Sequence, residues 1–287
     1  MKMNHFVSYV IATLFAIAMI SCAGPSSSDA DSDEIPKIEV TEEDNAEDND
    51  FLYALPSPLQ IASIFRRSGL IYIPDMTNNP DKVSNYNTKL IQKLNFGVYA
   101  ADLAYSALND KNQECIDYVK ALSQLSESLW MTNVFSSVSI LDRFEENLGN
   151  PDSLGYIIAD FQMELDSYLE ENGLSANSLV IFSGAWIESM HLAFKSLEGN
   201  PNPKLFGRIV EQRKIADNLI EILKKEDDDA ELNMLIAHLE KISNHFASFN
   251  LDNIEEIEEL ESLTMSEEDI NSAIADIDEA RNFIING

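Results

Sequence analysis

Glu188 and His191 stand three residues apart in Glu188-Ser189-Met190-His191. On a helix this Glu-x-x-His spacing puts a carboxylate and an imidazole on one face, the arrangement by which helical bundles hold transition metals. The pair belongs to a longer polar series, Asn177, Gly184, Glu188, His191, Lys195 and Glu198, which recurs at three, four or seven residues within an otherwise apolar run. A second seam, Thr88, Gln92, Asn95, Tyr99, Asp102, Ser106 and Asn109, threads among Leu90, Leu94, Val98, Leu103 and Leu108.

Three destinations suit such seams. Solvent would make Glu188, His191 and Lys195 ordinary surface charges. Mutual contact would make a small buried polar network or a polar groove lined by Tyr99, Asp102, Glu188 and His191. A metal would use Glu188 and His191 as ligands, with Asp102 beside them. The metal reading needs a second Glu-x-x-His and further Glu residues on partner helices, and the second motif is absent. His238 and His245, seven apart, are the other imidazoles available, among Leu239, Ile242 and Phe246. No metal, cofactor or catalytic residue is therefore assigned. The sequence also contains no Gly-rich phosphate loop, no Gly-x-Ser-x-Gly elbow and no pair of histidines at zincin spacing.

Punctuation and periodicity predict helices almost throughout the elements that must position these residues. Ser57-Pro58 opens a short helix closed by Gly69, and Asn79-Pro80-Asp81 opens a long one through Asn109. Further helices are expected over residues 111–130, 151–172, 175–197, 203–225, 229–249 and 266–285. Asn150 and Ser266 stand at cap positions. The 175–197 helix is apolar round most of its circumference and should be central. Within it Ser183-Gly184 marks a place of close helix packing. Leu70-Ile71-Tyr72-Ile73 is too short to be more than a strand candidate or extended connector. The fold class expected is all-α, a multi-helix array of packed helical hairpins in one bundle-like domain over 53–287.

The amino-terminal fifth reads differently. Lys2 precedes an apolar stretch over 6–20 that is too short for comfortable membrane spanning, which takes about 20 residues. Met19-Ile20-Ser21-Cys22-Ala23 follows, and it resembles the bacterial lipobox. That resemblance implies cleavage after residue 21 and lipid, such as palmitate, on Cys22, which anchors the chain stably when two acyl groups are present. Residues 22–52 are rich in Ser, Asp, Glu and Pro and form an acidic disordered tether, with a typical reach of about 30 Å. Asp29-Ala30-Asp31-Ser32-Asp33 copies the start of a calcium loop, but Glu34 stands where the turn requires Gly. With Cys22 lipidated, Cys115 is left as a lone, buried and inert thiol.

The 287-residue chain carries 50 acidic and 19 basic residues, for a formal charge of −31. With its scattered Lys and Arg this disfavours nucleic acid as a partner. The acidic run after the cysteine resembles the surface-export signals of Bacteroidetes lipoproteins. Asp152-Ser153-Leu154 resembles the O-glycosylation acceptor of that envelope, although Asp and Ser are also expected at a helix start. Three segments resemble uncharacterised Bacteroidetes cell-envelope lipoproteins: residues 53–62, residues 97–105 (Gly97-Val98-Tyr99-Ala100-Ala101-Asp102-Leu103-Ala104-Tyr105) and residues 184–190. The resemblance implies an outer-membrane address and a helical domain, and no activity. The function expected is a membrane-anchored extracytoplasmic lipoprotein whose helical domain binds an envelope protein or small molecule. The alternative is a metal-dependent enzyme with a carboxylate and histidine site.

Overall fold

The computed structural model describes residues 55–137, 139–226, 229–251, 254 and 257–287. The signal segment, Cys22 and the tether expected over 1–52 lie outside the described residues, as do Tyr53 and Ala54. The domain is all-α, and no strand occurs among the described residues. Residues 70–73 form an extended connector after Gly69, whose φ of +100° reverses the chain at a cost that only glycine avoids.

Helix α1 (Pro58–Arg67) begins as the sequence predicts, with Ser57 and Gln60 forming a reciprocal capping box. The long helix expected from Asn79 is instead two elements. Asn79 caps only a 3₁₀ turn (Pro80–Asn85), Tyr86 leaves in an extended conformation, and Thr88 caps α2 (Lys89–Leu108) afresh. The break turns the Tyr86 ring inward, where it is 4% exposed.

Then follow α3 (Asn112–Ser128), the short α4 (Thr132–Ser137) and α5 (Ile140–Glu146), and α6 (Pro151–Glu171), capped by Asn150. Helix α7 (Ser175–Leu197) has the predicted bounds. The segment expected as one helix over 203–225 divides at Gln212 into α8 (Pro203–Glu211) and α9 (Arg213–Leu223). Helix α10 (Ala230–Asn244) stops short of Phe249 because the chain continues in turns from His245. Helix α11 (Ile257–Glu261) is short, and α12 (Glu267–Asn286) is capped by Ser266. The hydrophobic pattern gave no notice of α4, α5 and α11, since five to seven residues complete too few turns to show a period.

Helices α2 and α7 form the centre. They run in the same direction: Gly184 meets Leu94, and farther along both helices Asp102 lies beside Glu188. A Cβ on Gly184 would sit 2.0 Å from the Leu94 carbonyl oxygen, and one on Gly97 would sit 1.8 Å from that of Ile181. Backbone thus lies on backbone, as the small residues at Ser183-Gly184 anticipate. Helix α12 crosses both in the opposite direction, with Arg281 at Glu188 and Ile284 at Asn95. The apolar core is continuous, and Trp186, Phe96, Phe194 and Phe246 are enclosed in it.

Candidate functional site

The middle of each seam points inward, Asn95 to Ser106 on α2 and Gly184 to His191 on α7, whereas Thr88 and Glu198 at the ends are exposed. Asp102 and Glu188 are completely buried, Tyr99 likewise, and His191 is 5% exposed. Solvent as the seams' destination is therefore corrected: α12, α3 and the connector over 70–86 cover them. What the sequence describes as a groove is filled by a side chain it does not single out, Arg281 of α12. Its Nε donates to Glu188 Oε2 at 2.6 Å and its Nη2 to Glu188 Oε1 at 2.9 Å, a two-pronged pairing. Nη2 also donates to the Met76 carbonyl at 3.2 Å.

Asp102 completes the charge cluster. Its Oδ2 accepts the Asn78 backbone N–H at 3.0 Å, whereas its Oδ1 has no hydrogen-bond donor. Its side chain lies within hydrogen-bonding reach of Glu188. Burial, then the Glu188 charge, hold its carboxyl well above the usual range, although Arg281 pulls the other way. Burial alone would lower the Arg281 guanidinium, but the Glu188 charge and hydrogen bonds outweigh it and raise it instead.

Around this cluster stands a cage of neutral hydrogen-bonding groups. Asn78 donates through Nδ2 to the Tyr86 hydroxyl at 2.9 Å, and its carbonyl accepts from Tyr118 at 3.0 Å. Tyr86 and Tyr99 share a hydrogen bond of 3.1 Å, and the Tyr99 hydroxyl donates to the Asn79 carbonyl. Asn95 ties α2 to the last turn of α12 by donating to the Ile284 carbonyl at 2.7 Å. Burial raises the pKa of all three tyrosines, so they remain hydroxyls.

His191 lies one turn beyond Glu188, with its Nδ1 2.8 Å from Asp278 Oδ1 and its Nε2 buried without a partner. Lys195 reaches the other Asp278 oxygen at 3.1 Å. Burial would raise the Asp278 carboxyl, but its bonds to His191 and Lys195 prevail and lower it. The metal hypothesis fares poorly on this geometry. Both Glu188 oxygens are committed to a guanidinium, and His191 turns its Nδ1 to a carboxylate on α12. His238 packs on Phe283, and His245 Nε2 meets Asp276 at 2.7 Å, so neither joins the Glu188 and His191 pair. Among the described residues, no group of three or more His, Cys, Asp or Glu is placed to hold a metal ion.

Helices α2 and α7 also present a second, apolar face, about 100° round from the seams by helical pitch. There, between these helices and α1 and α6, lies a cavity of about 590 Å³. Leu59, Phe96, Leu103, Ile158, Phe161 and Phe182 line it, and Ala100 and Ala185 form part of its floor. Gln162, Asp166 and Glu170 stand on its α6 side, and Leu55 to Pro58 border it where the chain enters the domain. Among the described residues, no basic side chain lines it.

Cys115 is fully buried, and burial pushes its thiol up to about 12, in keeping with an inert residue. Ser153 is half-buried in the first turn of α6, where its backbone N–H donates to the Asn150 cap. Arg281, Asn78, Tyr86 and Tyr118 escaped notice in the sequence. Arg281 left a trace: Ile270, Ile274, Ile277 and Ile284 mark the buried stripe of α12, and Arg281 occupies a position on it. A charge on an apolar stripe signals a buried partner. Comparison with protein-family models, curated proteins and solved structures returned no match.

Proposed function

We propose that this chain is a lipid-anchored binding protein of the bacterial cell envelope, held to the outer membrane through Cys22 and an acidic tether. Its helical domain takes up a slender apolar group, such as an acyl chain with a neutral head, in the cavity between α1, α2, α6 and α7. The single observation that carries the binding role is that cavity. Its volume of about 590 Å³ falls in the range of small-molecule sites, and its walls are mainly apolar with Gln162, Asp166 and Glu170 on the α6 side. Asp166 and Glu170 at that side, with a formal charge of −31 on the chain, disfavour a carboxylate-headed ligand. No helix among the described residues is long and apolar enough to cross a membrane. The metal-dependent alternative has no comparable support, because its two candidate ligands are engaged by Arg281 and Asp278.

Two experiments test the two halves. Metabolic labelling with a clickable fatty acid should mark the wild type and not Cys22→Ala, and the variant should leave the membrane fraction. Persistent membrane attachment of Cys22→Ala would refute the anchor. Titration with dodecyl maltoside and with dodecanoate should show binding of the neutral amphiphile over the anion, and Ala100→Trp should abolish it by filling the cavity. Unchanged binding to Ala100→Trp would place the ligand elsewhere.

A further inference from the structure

Asp102 and Glu188 sit side by side, both fully buried, with the Arg281 guanidinium bonded to Glu188. The groups facing Asp102 can be named element by element. Helix α7 contributes Glu188 and, a turn on, His191; α12 contributes Arg281 and beyond it Asp278. Helix α3 contributes Tyr118 and Glu114, the connector contributes Tyr86, and α2 itself contributes Tyr99 and Tyr105. Lys195, the next nearest cation on α7, is turned to Asp278 and Glu198. Two ionised carboxylates against one guanidinium would leave a net negative charge on two fully buried groups, which is strongly unfavourable.

The hydrogen bonds lead to the same conclusion. Arg281 occupies both Glu188 oxygens, and the Asn78 N–H occupies Asp102 Oδ2. Asp102 Oδ1 is buried with no donor aimed at it, yet the two carboxyl groups are within hydrogen-bonding reach. Two carboxylates have no hydrogen to share, whereas a carboxylic acid and a carboxylate have one. We propose that Asp102 is a neutral carboxylic acid in the folded protein, its Oδ1–H donating to Glu188, and that docking of α12 onto α2 and α7 therefore takes up one proton from solvent. The C-terminal helix is fastened more tightly in acid than in alkali.

The sign follows from linkage. An unfolded Asp titrates near about 4, and the folded Asp102 titrates higher. Its contribution to stability is complete below the unfolded value and is lost as pH rises through the folded one. Asp276 and Asp278 behave oppositely: both are lowered on folding, and their contributions vanish as pH falls below about 4.

Asp102→Asn separates the proton from the packing, since its amide keeps an acceptor for Asn78 and a donor for Glu188 but cannot ionise. Urea denaturation of the full chain at about pH 5 and about pH 8 should show the wild type losing stability with rising pH and the variant losing less. The limiting difference is tenfold in the unfolding constant per pH unit for one proton. Infrared spectra of wild type carrying ¹³C-carboxyl-labelled Asp should show the carbonyl band of a protonated acid at about pH 7, and that band should be absent from the variant. Equal pH slopes in the two proteins, or no acid band in the folded wild type, would overturn the proposal. Should Asp102→Asn fail to fold, the wild-type band alone decides.

Discussion

The two faces of the α2 and α7 pair solve opposite problems with the same helices. Toward α12 the interface is polar and filled: Asp102 and Glu188 are fully buried, and Arg281 and the Asn78 N–H bond their carboxyl oxygens. Toward α1 and α6 it is apolar and leaves about 590 Å³ open. Buried charge tolerates little displacement, because a slight shift strips an ion of its partner. Apolar walls have no directional requirement and can close on a guest or do without one. The polar face fixes the frame and the apolar face leaves a space.

The contrast can be broken most severely at the place both faces share. Gly97→Ala would drive a methyl into the Ile181 carbonyl, and it should cost about 3 kcal/mol or more in urea denaturation or prevent folding. Arg281→Met attacks the polar face alone. It leaves Glu188 buried without its cation and should cost about 3–5 kcal/mol, while Arg281→Met combined with Glu188→Leu should recover much of that loss. Phe161→Ala enlarges the apolar face. A loss of about 3 kcal/mol is expected, with binding of the dodecyl probe retained or relaxed in selectivity. The smallest effect belongs to Ala100→Leu, which partly fills the cavity. Stability should change by no more than about 1 kcal/mol while probe binding weakens, as read by calorimetric titration.

Much of this frame is legible in the sequence because it depends on local rules. Ser57, Asn150 and Ser266 cap helices where their residue types predict. The all-round apolarity of α7 reflects a helix enclosed on every side. The two seams carry the right residues, Tyr99, Asp102, Glu188 and His191, but periodicity records only which residues share a face. Whether a polar face meets water or another helix is decided by tertiary packing, and here the answer lies in Arg281, 93 positions from Glu188. The cavity left no signal at all, since Phe96, Phe161 and Phe182 look like any other core positions until the gap between them is seen. Tyr86 shows a third limit: Asn79-Pro80 is a sound start signal, but the helix it opens is a six-residue 3₁₀ segment that ends where Tyr86 turns its hydroxyl to Asn78 and Tyr99.

The division of labour between the faces is tested most directly by a backbone NMR titration of the full chain with dodecyl maltoside. The shifts should fall on Phe96, Ala100, Ile158, Phe161 and Phe182, while Asp102, Glu188 and Arg281 stay in place. Shifts centred on Glu188 and Arg281, or none anywhere at saturating probe, would contradict the assignment of binding to the apolar face.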